Sequence, residues 1–208
     1  MSTMTDYRLQ KGWNDGYRQV VAVLYEGAFG PKFQTAIPDK QQRLAILSEG
    51  FLPEYSFVIL DGQKVIGLAG IQTREGALTG GISVRQLIKR LGFWRGCWAC
   101  FVFALFEREP TAKEMVLDGL VIDSAYRGEG LGTRLLDACK ALAIEQNYQS
   151  LRLDVIDSNS RARALYEREG FVETARDYHP WLKRLVGFSY STTMVCKLDA
   201  LSRSRTEA

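Results

Sequence analysis

The chain has 208 residues, 46% hydrophobic and 25% charged, which suits one globular domain of the larger kind or one core with an insertion. A net charge of only +3 gives no argument for nucleic acid, and no such partner is expected, although an anionic ligand fits. The first six residues carry neither a basic n-region nor an apolar h-region, and the longest strongly apolar run, Gly96–Phe106, is about half of a bilayer span, so neither a secretory signal nor a transmembrane helix is expected.

In chain order, Tyr7–Gln10 reads as a first strand and Asp15–Ala28 as an amphipathic helix with Val20, Val21, Leu24 and Ala28 near one face. Asp39–Ser48 reads as a second helix, entered at Pro38 and ended by Gly50. Tyr55–Leu60 and Lys64–Gln72 are β-rich runs joined through Asp61-Gly62, a hairpin signal. The pattern then breaks: Gly76–Gly81 is loop-like, and Val84–Phe106 reads as two helices parted near Gly92 and closed by Pro110. Glu114–Ile122 is a strand and Glu129–Gln146 a helix, with Leu131, Leu135, Ala138, Cys139 and Leu142 along one side and Asn147 as its cap. Ser150–Ile156 is a strand, and Asp157–Ser160 offers N-caps for a short helix through Arg168, with Gly170 just past its end. Phe171–Ala175 and Ser191–Leu198 complete the strands. This order implies an α/β (α+β) fold with helices on the faces of a mixed sheet. Residues 1–198 are read as one unit, with a helical insertion at about 79–109, and 199–208 as a disordered polar tail.

The four cysteines include Cys97 and Cys100 in a C-x-x-C. There is no second such pair, and His179 is the only histidine, so a zinc set cannot readily be assembled and no metal is expected. Both are expected to be packed thiols, and a reducing cytoplasm is the expected compartment.

The chemistry concentrates in Leu120–Leu136, where a strand runs into a turn with Gly128, Gly130 and Gly132 and then into a helix. Glycine lets backbone N–H groups approach a ligand, and the first N–H groups of a helix lack partners and favour negative charge. Such a turn suits a phosphate or pyrophosphate, and Arg127 adds a full positive charge. A dinucleotide turn is an alternative, with Asp154 placed about 22 residues after Gly132 as its ribose acid, but G-x-G-x-x-G needs glycine where Thr133 stands. A merely tight turn requires neither Arg127 nor three glycines.

Arg127-Gly128-Glu129-Gly130-Leu131-Gly132 resembles the R/Q-x-x-G-x-G/A signature of the GNAT superfamily of N-acetyltransferases. A second segment, Asn159 to Phe171, is similar to that family's N-x-x-A-x-x-L-Y-x-x-x-G-F pattern. The resemblance covers about Glu114–Ala175 well and the hairpin Tyr55–Gln72 loosely, and Thr79–Glu109 departs from it. It implies a mostly antiparallel central sheet of about seven strands, and direct transfer of an acetyl group from acetyl-CoA to the amine of a small molecule or peptide. Arg127 to Thr133 would hold the pyrophosphate. The edge Leu120-Val121-Ile122 would pair with the pantetheine arm, and an N–H near Ile122 would polarise the thioester carbonyl. Asn159 would bind the pantetheine region and cap its own helix, with Arg163 beside it in the cofactor set. Tyr166 is the catalytic expectation, as a phenol able to hydrogen-bond or protonate the leaving thiolate; otherwise it only packs beside Leu165.

An acid inside the apolar strand, Asp118, is the expected base for the amine, with Glu114 as its polar entrance; Asp118 could equally be an ion-paired edge residue. His179 is expected to be a satisfied surface or core residue. The insertion pairs a basic part (Arg85, Lys89, Arg90, Arg95) with an aromatic part (Trp94, Trp98, Phe101, Phe103, Phe106). It is expected to pack its aromatic face onto the sheet, with a membrane-surface contact through 84–106, a lid or a homodimer contact as alternatives. A non-catalytic acyl-CoA-binding module is the rival function.

Overall fold

The computed structural model describes residues 7–104, 110–178 and 190–198. Seven strands form one sheet: β1 (Arg8–Lys11), β2 (Ser56–Asp61), β3 (Lys64–Gln72), β4 (Glu114–Ile122), β5 (Ser150–Ile156), β6 (Val172–Tyr178) and β7 (Tyr190–Lys197). Their spatial order is β1-β2-β3-β4-β5-β7-β6, and every pairing is antiparallel except β4–β5. The helices are α1 (Arg18–Phe33), α2 (Lys40–Gly50), α3 (Val84–Leu91), α4 (Phe93–Ala104), α5 (Leu131–Glu145) and α6 (Ser160–Arg168). The mixed, mostly antiparallel sheet of seven strands is as expected, and it excludes a doubly wound dinucleotide fold, whose sheet is mostly parallel. Asp154 accepts a 2.5 Å hydrogen bond from Thr193 across β5–β7.

Period-two alternation divides the sheet between two cores, with a bulge at Ile66 of β3, opposite Ile59–Leu60, that puts Ile66 and Leu68 on opposite faces. Ile59 and Ile66 join Leu131, Leu135, Leu136 and Cys139 of α5 on one face. Val58, Leu60 and Leu68 join Val21, Ala22 and Tyr25 of α1, with Leu44 and Leu47 of α2, on the other. Helix ends follow local chemistry. Asp39 caps α2 by accepting from the Gln42 N–H at 2.7 Å, and Asn147, with φ of 61°, turns the chain after α5. Helix α1 runs five residues past its expected end at Ala28, through Gly30 and Pro31. Tyr25 there packs against Phe29 and Phe33 at ring-centroid distances of 4.6 and 6.5 Å, and meets Phe51 edge to face at 5.2 Å. That aromatic packing outweighs the poor helix propensity of the last turns.

The insertion differs from expectation. Its two helices are parted at Gly92, which has φ of 80°, as the sequence indicates. Their buried side, Leu87, Leu91 and Ala99, packs on Ala36, Ile37 and Ile46 from the α1–α2 region, not on the sheet. Of the aromatic part, Trp94 and Trp98 face outward and the side chains of Phe101, Phe103 and Phe106 lie outside the described residues, while Cys97 is exposed and Cys100 half-buried instead of both being packed. Residues 105–109, 179–189, which include His179, and 199–208 lie outside the described residues. Among the described residues no helix is long and apolar enough to cross a membrane.

Candidate active site

Strand β4 organises the site. It pairs with β3 from Val116 to Ile122, but a bulge falls at Asp118: Gly70 opposes Gly119 and Ile71 opposes Leu117. The extra residue reverses the alternation, so Leu117, Leu120 and Ile122 all face α5 while Val121 faces α1. On its other side β4 pairs with β5 only from Glu114 to Val116. Beyond Val116 the two strands part, leaving the Leu117–Ile122 edge without a neighbouring strand among the described residues. An unpaired edge of this kind is a template for an extended ligand.

The gap opens into a cleft of about 560 Å³. Its walls are Leu120, Val121 and Ile122 of β4, Tyr126 to Thr133 of the following turn except Glu129, Asn159, Arg161, Ala162, Leu165, Tyr166 and Arg168 around α6, and Gly27, Ala28 and Phe29 of α1. The turn is built for close approach. Gly128 and Gly130 have φ of 95° and 75°, and a Cβ on either would point into open space, so neither is a packing residue. Gly132 serves differently: a Cβ there would meet Leu165 Cδ2 at 3.0 Å, so its absence seats α6 against the start of α5. Gly130 caps α5 without a side chain, and the first bond inside the helix is from the Arg134 N–H to the Gly130 carbonyl. The N–H groups of Leu131, Gly132 and Thr133 therefore precede any intrahelical donor and sit on the cleft wall.

Charge at the cleft has one sign. Arg127, Arg161 and Arg168 line it, and none of the described lining residues is a carboxylate. Arg127 is exposed and donates from Nε to the Ile122 carbonyl at 3.2 Å, which ties the turn to the strand end. Asp123, one residue beyond the strand, is held by Lys64 at 2.9 Å, and that ammonium keeps its carboxyl below the usual range. Three cations and a helix N-terminus make a polyanion site, the requirement of a pyrophosphate with a further phosphate. The residues present thus fit coenzyme A.

Tyr166 is buried on α6, with its ring 5.8 Å from Phe171, and it also borders the cleft. Burial pushes its phenol up to about 12. It is therefore a hydrogen-bond donor throughout the neutral range. Asn159 caps α6 by accepting from the Ala162 N–H at 3.2 Å while bordering the cleft.

Three residues named from the sequence are not on the cleft wall. Glu129 is turned away and accepts a 2.6 Å hydrogen bond from the Tyr7 hydroxyl. Arg163 points to the far side of α6, where it pairs with Glu167 at 2.9 Å and Glu173 at 2.7 Å, fastening α6 to β6. Asp118 sits on the α1 face of the bulge, where Thr79 donates to it at 3.5 Å. Burial, and then the Asp118 charge, hold the Tyr25 phenol well above its ordinary value. Glu114 accepts from Arg152 at 2.9 Å, at the closed end of the β4–β5 pair. Conversely, Arg161, Leu165 and Arg168 line the cleft together. Their i, i+4, i+7 spacing was the available signal. The α1 wall carries no motif at all. Among the described residues no group of three or more His, Cys, Asp or Glu is placed to hold a metal.

The matches to known proteins agree with this geometry. The chain is 34% identical over 74 residues to mycothiol acetyltransferase from Jonesia denitrificans, covering 36% of this chain and 24% of that protein. It is 33% identical over 99 residues to N-alpha-acetyltransferase MAK3 from Arabidopsis thaliana, covering 47% and 52%. The matched segments thus span about a quarter and about half of these relatives' own length. In three dimensions the chain is similar to an N-acetyltransferase from Staphylococcus aureus Mu50, with a TM-score of 0.62 at 14% identity over 90% of this chain and 99% of that one. Residues 21–171, well over half of the sequence, match the acetyltransferase (GNAT) family, and the chain belongs to it.

Proposed function

We propose that this chain is an acetyl-CoA-dependent N-acetyltransferase acting on a primary amine of a small molecule or peptide. The observation that carries the reading is the parting of β4 from β5 beside a polycationic helix N-terminus, with a protonated phenol on the same cleft wall.

Acetyl-CoA supplies the acyl group as an activated thioester. The N–H groups of Leu131, Gly132 and Thr133, with Arg127, hold the pyrophosphate, and Arg161 and Arg168 add charge for the remaining phosphate. The Leu117–Ile122 edge offers main-chain groups to the pantetheine arm, and an N–H near Ile122 stabilises charge on the acyl oxygen. The amine nitrogen bonds to the acyl carbon, the C–S bond breaks, and the sulfur leaves as a thiolate. Tyr166, on the same cleft wall, would donate to that sulfur. A phenol at about 12 lies above a thiol at about 8.5, so Tyr166 acts by donating a hydrogen bond and remains a phenol throughout. The ammonium proton goes to Asp118, through water, from the α1 side of the bulge.

The names of both curated relatives describe acetyltransferases, and one specifies an α-amine. They support N-acylation and leave the acceptor open. Isothermal titration with acetyl-CoA, free CoA and NADH, followed by an amine screen with thiol detection, tests the proposal. Binding of both CoA species, weakened by Arg127→Ala, with thiol release on addition of an amine, is the expected result. Failure of both CoA species to bind overturns it, and CoA binding without thiol release from any amine leaves the non-catalytic binding module.

A further inference from the structure

We propose that the outward side of the α3–α4 hairpin docks on an anionic lipid bilayer, with Phe93 and Trp94 at the interface and Arg85, Lys89 and Arg95 against the headgroups. The inference does not depend on the catalytic reading.

The hairpin has a defined inside. Leu87 and Leu91 of α3 and Ala99 of α4 are buried in one small core, so both helices turn their opposite sides to solvent. The helices touch closely, since a Cβ on Gly96 would fall 2.6 Å from Ile88 Cα. A helix paired on one side in this way should be polar on the other. Helix α4 is not: Trp94 is 83% exposed, Phe93 61% and Trp98 41%. The Phe93 and Trp94 rings meet edge to face at 5.4 Å, forming one apolar projection. With Val84, these residues make up half of the exposed large hydrophobic residues of the described structure, concentrated in one hairpin.

The charge around this projection selects the occupant. From Gly76 to Phe106 the sequence has four cations, Arg85, Lys89, Arg90 and Arg95, and no carboxylate. Arg90 is engaged by Glu49, whereas Arg85, Lys89 and Arg95 are exposed. Arg85 and Lys89 lie one turn apart, opposite the buried Leu87 and Leu91. A second copy meeting this side about a two-fold axis would set like charges against one another. An anionic bilayer satisfies both components: indole and phenyl rings partition to the headgroup boundary, and each nearby cation gains from the surface potential.

The test is co-sedimentation of the purified full chain with vesicles of phosphatidylglycerol and phosphatidylcholine, against phosphatidylcholine alone. Pelleting is expected with the anionic vesicles only, and it should weaken as salt is raised. Each removed cation should reduce partitioning about fivefold, so Arg85→Gln/Lys89→Gln should reduce it about thirtyfold. Trp94→Ser should also release the protein while leaving its circular dichroism and acetyl-CoA titration unchanged, because this side chain is outside every core. Absence of pelleting at low ionic strength overturns the proposal, as does pelleting that Trp94→Ser leaves intact. A dimer in sedimentation velocity that Trp94→Ser dissolves, without vesicle binding, assigns this side to a second copy instead.

Discussion

The two ends of β4 are built differently. At Glu114–Val116 the strand is paired with β5, and at Val116 with β3 as well, its apolar residues are buried, and Glu114 is joined to Arg152 at 2.9 Å. From Leu117 to Ile122 it is bulged on one side and without a strand on the other, and the glycine turn, α5 and α6 gather around that opening. Satisfied backbone makes a scaffold, and unsatisfied backbone makes a site. The closed end holds the sheet together so that the open end can remain apart.

The largest expected effect bears on the open end. Tyr166→Phe should lower kcat about a hundredfold with CoA affinity little changed, the cost of one donor at the developing charge. Steady-state kinetics with parallel calorimetry measures this, and an unchanged kcat would return Tyr166 to a packing role. The same phenol sets a pH dependence. Its pKa is raised in the folded state, so its contribution to stability is complete below about pH 10 and is lost between about 10 and 12, roughly 2–3 kcal/mol in all. Urea titrations across that range should show a shallower alkaline decline for Tyr166→Phe than for the wild type.

A change at the closed end should act on stability and hardly on chemistry. Glu114→Ala removes the partner of Arg152, whose Nε already lacks a hydrogen bond among the described residues. Because both side chains keep some exposure, the expected cost is about 2 kcal/mol, below that of a fully buried pair. Urea unfolding reads it, and loss of acetyl-CoA binding in the folded variant would contradict the division between the two ends. Arg127→Ala, back at the open end, should weaken CoA on the order of tenfold by calorimetry, without altering the midpoint of urea unfolding. Smallest is Gly128→Ala. Its Cβ meets nothing, so only the left-handed backbone is penalised, by about 1 kcal/mol. A larger loss of stability would mean that this turn packs against something other than a ligand.

Features with local causes were legible in the sequence. The Arg127–Gly132 turn, the caps at Asn147, Asn159 and Gly170, the Asp61-Gly62 hairpin and the break at Gly92 each follow from the conformation or hydrogen bonding of one or two residues. The segment Asn159–Phe171 similarly marked α6, and with the turn it indicated the family. Only the tertiary structure decided which way side chains point and where pairing stops. The Asp118 bulge depends on register with β3, and the free edge of β4 depends on β5 diverging toward β7. Arg163 lies on the far side of α6 because Glu173 of β6 holds it there, while Arg161 and Arg168 line the cleft. Helix α1 extends to Phe33 because Tyr25 and Phe51 give its last turns a surface to bury, and Trp94 faces outward because Leu87, Leu91 and Ala99 already fill the hairpin's own core. A residue's own chemistry dictates its local conformation, but its face, its partner and its exposure are set by residues far along the chain.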